Sequence, residues 1–326
     1  MSVAEIEAQE IGLDQATGGL WHDALRRLIR NPAAILGFTL VFTFVTIALF
    51  APLLAHGGPK DQNLSLIAGG CCPGPSHAHW LGVDQLGRDV YTRILYGARY
   101  SLLIGVVSVT IGLSIGLILG SIAGYLGGAA DSLIMRCMDV MLAIPGLLFA
   151  IGIVALLGPG LYQIMIAVGV VNIPIFARLL RGSILAQREN DFVLAARSVG
   201  VRRPTILFSH ILPNAISPVI VAGTLAMATA IIDVAGLGFL GLGPQDPATP
   251  EWGTMLSDVN DYLQTAPWLA ITPGVAIVLS VLGFNLIGDG LREALDPKLR
   301  GRTGRFRQRS LFWFVGPARR KAASGA

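Results

Sequence analysis

Apolar positions gather in six blocks along the chain, at roughly 34–55, 101–124, 138–157, 161–181, 215–240 and 268–290. At about 1.5 Å per residue, a helix of about twenty residues crosses a hydrocarbon core of about 30 Å. The pattern predicts an all-α, polytopic membrane protein with six transmembrane helices. Between the blocks lie a polar lead of residues 1–33, a long loop at 56–100, a polar insert at 182–213 and a basic tail at 291–326. The first block is too long for the h-region of a cleaved signal, about 7–15 residues. It is expected to stay as an anchor, separate from a core of five helices spanning 101–290.

Composition agrees: 53% of residues are hydrophobic and 13% charged, with a mean hydropathy of +0.65, where soluble domains carry about 25% charged residues. Charge then orients the spans. If the N-terminus is inside, 20 of the 24 Lys and Arg fall on cytoplasmic segments, and Lys60, Arg88, Arg93 and Arg99 fall outside. The 244–267 loop carries Asp246, Glu251, Asp258 and Asp261 and no basic residue. Both termini and the 182–213 insert are thus expected in the cytoplasm, with 56–100 as an extracytoplasmic loop. Cys71 and Cys72, in "CCPGPSHAH", do not amount to a disulfide framework. A metal clip there lacks a second ligand cluster, so an incidental loop, with or without a local disulfide, is the preferred reading.

Inside the second block, Gly112, Gly116, Gly120 and Gly124 line one helix face, where they let another backbone approach closely. Helix packing is the first reading and a moving contact between subunits the second. Among the polar groups in the spans, Asp139, Asn172, Asp233 and Asn285 are the candidates for a pathway or gate. Asp139 lies near the cytoplasmic end of its span and Asp233 lies deeper. Asn172-Ile173-Pro174 is a place where the fourth span can break.

The insert contains "DFVLAARSVGVRRPTILFSHILPN", residues 191–214. Asp191 is a good N-cap, and Phe192, Ala195, Ala196 and Val199 follow at helical spacing as an apolar face. Gly200 suits the position just past a helix end. Pro204 suits the first turn of a second helix, expected to run to Pro213. A helix of about nine residues is not stable alone and needs something to pack against. A docking element and a plain amphipathic connector are both open on these grounds.

"LAARSVG" followed by "HILPN" resembles the EAA loop of permease subunits of binding-protein-dependent ABC importers. Ala195, Ala196, Gly200, Leu212 and Pro213 fall in register with that pattern, and Leu194 stands where those permeases most often have Glu. "HWLGVDQLGRDVYTRILYGARYSLLIG", "FLGLG", "WGTML" and "NLIGDGLREALDPKLR" are similar to the second, C-type membrane subunit of dipeptide/oligopeptide permeases, over about 30–300. Val234 stands where that branch tends to have Glu, with Asp233 one position away. The resemblance implies a type I importer, MetI-like bundle, with Asp191, Leu194, Ala195, Ala196, Arg197 and Gly200 as the helix that couples to an ATPase. It also implies a homologous second permease subunit, two ATPase subunits, an extracytoplasmic substrate-binding protein and a peptide substrate.

The sequence has no GxxxxGK[ST] loop and no Gly-Lys dipeptide. The chain is therefore not expected to hydrolyse ATP by that route, and the resemblance implies that ATP and magnesium sit on the partner subunits, with no cofactor on this chain and no catalytic role for it. Membrane lipid is an expected neighbour and nucleic acid is not. The alternative is a self-sufficient secondary transporter or channel, which needs a coupling site within the membrane. A membrane enzyme lacks a paired acid/base or metal-ligand constellation.

Overall fold

A computed structural model describes residues 25–295. Among the described residues there is no strand, apart from an isolated bridge between Val83 and Asp89. Five helices are long and apolar enough to cross a membrane unbroken. They are α1 (Pro32–Leu54), α2 (Val90–Leu126), α5 (Leu161–Arg188), α7 (Ser217–Leu237, continued by a π-helical turn Gly238–Leu242) and α9 (Trp268–Leu295). The third block is different. It forms α3 (Gly128–Leu142) and α4 (Gly146–Leu157), bent by 92° across a short break. Pro145 is the cause: it has no N–H to give and disfavours helix at the residue before it. The expected straight span at 138–157 is corrected to this bent pair.

The most extensive helix contact joins α2 to α5 along the glycine stripe, and all four stripe glycines are buried. A Cβ would stand 2.8 Å from the Asn172 Cβ at Gly112 and 2.6 Å from the Phe176 Cβ at Gly116. At Gly120 it would stand 2.6 Å from the Ala177 carbonyl oxygen, and at Gly124 3.0 Å from the Ile184 Cβ. The stripe therefore packs within the chain. On α5, Gly169 returns the fit, since a Cβ there would lie 2.9 Å from Ile111. Such contact holds helices in lipid, where burial of apolar surface drives nothing. The principal core lies along this seam and includes Ile164, Val168, Phe176, Leu180 and Ile184.

Helix α1 lies at the edge, on α9 and α2, with most of its large side chains exposed. Gly37 meets the Gly283 carbonyl, where a Cβ would come to 2.8 Å. Asn31 caps α1 through the Ala33 amide at 2.9 Å and also donates to Glu293 at 2.7 Å, joining the start of the first span to the end of the last. Thr39, Thr43 and Thr46 each donate to the carbonyl four residues back, at 2.8–2.9 Å. Their hydroxyls are satisfied inside the helix, as a lipid-facing helix requires.

The bundle has two polar ends. One gathers the Asn31–Glu293 contact, the Arg188 guanidinium donating to the Gly124 carbonyl at 3.0 Å, and the Tyr125 hydroxyl donating to the Arg203 carbonyl at 2.6 Å. The other gathers 55–89, the 158–160 turn and 243–267, where the Gly160 amide donates to the Leu242 carbonyl at 3.3 Å. The insert lies at the first end.

Candidate functional site

Three groups of residues carry the chemistry: the insert, the polar groups in the spans, and a cap at the opposite end. In the insert, helix α6 runs Asp191–Ser198 and follows α5 after two residues. Its N-cap is Asn190, with extended backbone, so Asp191 is the first helical residue and not the expected cap. It still places a negative charge at the helix N-terminus, where the backbone dipole favours one. At the other end Gly200 has φ of +79°, its amide donates to Arg197 at 3.0 Å, and the Val201 amide donates to Ala196 at 3.1 Å. These two bonds make a Schellman motif, which requires the left-handed residue that glycine supplies.

The packed face of α6 is not the one helical spacing suggested. Val193 is fully buried and Ala196 and Val201 pack on the core, while Phe192, Ala195 and Val199 are exposed, Val199 at 84%. Leu194 is 51% exposed, and Asp191, Arg197 and Gly200 are also exposed. Phe208 adds another exposed aromatic ring to this end. The second helix of the insert is longer and less regular than expected. It starts at Arg203–Thr205, widens into a π-helical Ile206–Ile211, and continues past Pro213 to Ala215. Pro213 cannot donate, the Leu212 amide reaches back to Leu207, and the Asn214 side chain bonds the His210 carbonyl at 2.7 Å. What results is a seated helix that leaves apolar side chains uncovered at a polar end of the molecule.

The four polar candidates in the spans do not converge. Asp139, on α3, is exposed and paired with Arg178 of α5. Asn172 is buried and spends its amide on the Val168 carbonyl of its own helix, at 2.8 Å, under Gly112. Asp233 and Asn285 are half-buried and have no hydrogen-bond or ion-pair partner among the described residues. Helix α5 stays continuous through Pro174, so the expected break there is absent.

The cap is built on the acidic 244–267 loop and on 84–101, and its ties between these two segments are not legible in the sequence. Helix α8 (Trp252–Asp258) is strapped across the start of α2. Trp252 is fully buried against Gly97, where a Cβ would come to 2.6 Å, and its indole donates to the Ile94 carbonyl at 3.2 Å. Glu251 caps α8, taking the Gly253 amide at 2.8 Å and the Thr254 amide at 2.9 Å, and it accepts from the Ser101 hydroxyl at 3.3 Å. At the far end of α8, Asp258 faces Arg88 at 3.4 Å and Arg93 at 3.5 Å, both nearly fully buried. Asp84 completes the square, 2.6 Å from Arg88 and 3.6 Å from Arg93. Lys60 pairs with Asp246 at 3.6 Å, so much of the acidic loop is engaged by its own chain. A cavity of about 250 Å³ opens beside this square, lined by Arg88, Arg93, Gln245, Thr254 and Asp258. Glu251 before "WGT" is a readable cap signal, since its carboxylate and Thr254 form a reciprocal capping box. The Arg–Asp square joins residues about 170 apart and leaves no local trace. Cys71 and Cys72, nearby, are bonded to each other.

Burial pushes the Glu251 carboxyl from its ordinary 4.5 up to about 7, against the pull of its three donors. The folded cap thus holds a proton that the unfolded chain has released. Its contribution is complete below pH 4.5 and lost as pH rises to about 7, worth on the order of 3 kcal/mol. Thermal unfolding in detergent from pH 4.5 to 8 is expected to show the midpoint of the native chain falling through this window, and that of Glu251→Gln staying flatter. Identical pH profiles would assign the titration to another group.

An all-helical membrane bundle with an uncovered short helix at one end and a strapped cap at the other is built as a membrane-embedded transport subunit. Residues 116–301 match the family described as binding-protein-dependent transport system inner membrane component, and residues 19–68 match the N-terminal TM domain of oligopeptide transport permease C. The chain belongs to the first of these families, and it is a multi-pass membrane component of a binding-protein-dependent transport system. It is 50% identical to the dipeptide transport system permease protein DppC of Alkalihalophilus pseudofirmus, over 86% of this chain and 90% of that one. It is 47% identical to the glutathione transport system permease protein GsiD of Escherichia coli, over 86% and 91%. In fold it is similar to the inward-facing MetNI methionine ABC transporter, with a TM-score of 0.52 over 62% of this chain and 96% of that one, at 19% identity. The self-sufficient carrier of the alternative reading is set aside.

Proposed function

We propose that the chain forms half of the membrane pathway of an importer for di- and oligopeptides, driven by ATP hydrolysis on partner subunits. The observation that carries this reading is the uncovered face of α6, with Phe192, Ala195 and Val199 exposed on a helix seated by Val193 and closed by Gly200. Contiguous apolar side chains at an aqueous end fit a protein partner. In this reading Asp191, Leu194, Ala195, Arg197 and Gly200 dock on one ATPase, which holds ATP and magnesium, while Ala196 helps seat the helix on the core. A second, homologous permease completes the pathway with another ATPase, and an extracytoplasmic binding protein delivers the peptide to the capped end. The end with the insert is cytoplasmic, in keeping with its share of Lys and Arg. Asp233 and Asn285, unpartnered among the described residues, face the pathway or the sister subunit. Two of the relatives support the substrate class: one is a dipeptide permease and one a glutathione permease, and glutathione is itself a tripeptide.

Reconstitution in liposomes tests the reading. Uptake of a labelled dipeptide is expected with the chain, a sister permease, the ATPases, a binding protein and ATP together, and to vanish when any one is omitted. Gradient-driven uptake by the chain alone would refute it.

A further inference from the structure

Helix α3 is a strut between two flexible points. At its start Gly127 and Gly128 have φ of +67° and +59°, backbone that other residues rarely adopt. At its end lies the break before Pro145, where the chain turns by 92°. Between these points only Met138 is buried, against Ile173 and Ala177 of α5. An open depression of about 400 Å³ runs along the helix, lined by Asp131, Met135, Arg136 and Asp139 with Arg181 of α5. So little buried surface would hold α3 loosely. Two ion pairs add to it: Arg181 grips Asp131 through both oxygens, at 2.5 and 2.7 Å, and Arg178 holds Asp139.

Both arginines stand on α5, three residues apart, and α5 runs after two residues into α6. The glycine seam and the Arg188–Gly124 bond make α2 and α5 one body. A displacement of α6 therefore moves that body, and α3, jointed at both ends and packed on α5 by Met138 with Ile134, Met135 and Met141 partly buried beside it, follows the more closely the more firmly it is fastened. We infer that the Arg181–Asp131 and Arg178–Asp139 pairs are that fastening: they carry the displacement of α6 through α3 to the break ahead of α4, and so to the pathway. The four side chains are positioning residues whose work is to keep transport tied to ATP hydrolysis. This rests on the proposed coupling role of α6.

The test uses the complete reconstituted complex, reading peptide uptake and ATP hydrolysis separately. Arg181→Asp is expected to lower uptake about tenfold while hydrolysis stays near normal, and Asp131→Arg with Arg181→Asp to restore most of the uptake. Arg181→Gln and Asp131→Asn, which remove a charge without reversing one, are expected to uncouple in the same sense and cover the case in which the reversal does not assemble. The inference is overturned if the single variants couple normally, if uptake and hydrolysis fall in proportion, or if the assembled swap stays uncoupled. Absence of ATP-driven uptake in the native complex would instead count against the proposed function.

Discussion

Gly116→Leu is expected to leave almost no folded protein in the membrane. Even the first carbon of a new side chain would stand 2.6 Å from the Phe176 Cβ, 3.0 Å from the Ile173 carbonyl and 3.1 Å from the Ala177 amide. Phe176 is fully buried and the other two groups are backbone, so nothing there can swing aside. The helices must part, and parting them also opens the contacts at Gly112, Gly120 and Gly124. Overpacking by a methylene or two already costs about 1–3 kcal/mol, and leucine adds four carbons at the tightest point of the seam. Gly152→Leu is the matched control, since a Cβ at Gly152 meets nothing within 4 Å. The recovered monodisperse fraction after detergent extraction should collapse for the first variant and hold for the second. Equal recovery would remove the seam from the account of stability.

The largest functional effect is expected at Gly200. Proline there would remove the amide that donates to Arg197 and would demand φ near −65° where the chain has +79°. The Schellman turn fails at a cost of about 3 kcal/mol or more, the seat formed by Val193 and Val201 is lost, and α6 no longer presents its outer face. Membrane insertion should be intact, because the long spans do not depend on this turn. Co-purification of the ATPase subunits and ATP-driven uptake should both drop to background. Gly200→Asn, which tolerates a left-handed backbone, should retain most of both. Normal recovery of ATPases with Gly200→Pro would show that α6 is not the docking element.

The apolar spans and the Gly200 terminus are legible in the sequence because each is a local signal: a run of hydrophobic residues, or a glycine one step past a helical face. The break in the third span is less legible, since Ala143, Ile144 and Pro145 sit in an unbroken apolar run and only the proline hints at the turn. The buried side of α6 is hidden in the sequence for a different reason. Its apolar side chains exceed one face, and which face turns inward depends on the core beneath Val193. The cap and the α3 clamp both join distant segments, Asp258 to Arg88 and Asp131 to Arg181, and in sequence such partners are merely charges near the ends of spans. For the candidate site, then, the insert could be located from the sequence, but its exposed surface and the devices around it could not.

The contact between α1 and α9 has a consequence for how the chain is made. Asn31 and Glu293 are 262 residues apart, and at about 5–20 residues per second of synthesis the second emerges roughly 13–50 s after the first. Throughout that interval the first helix must last in the bilayer without its principal neighbour. The threonines that bond back within α1, and the Phe and Leu side chains around it, let it wait there with no polar group in need of a partner. When α9 leaves the ribosome it finds Gly37 ready to receive it, and the two helices close on each other.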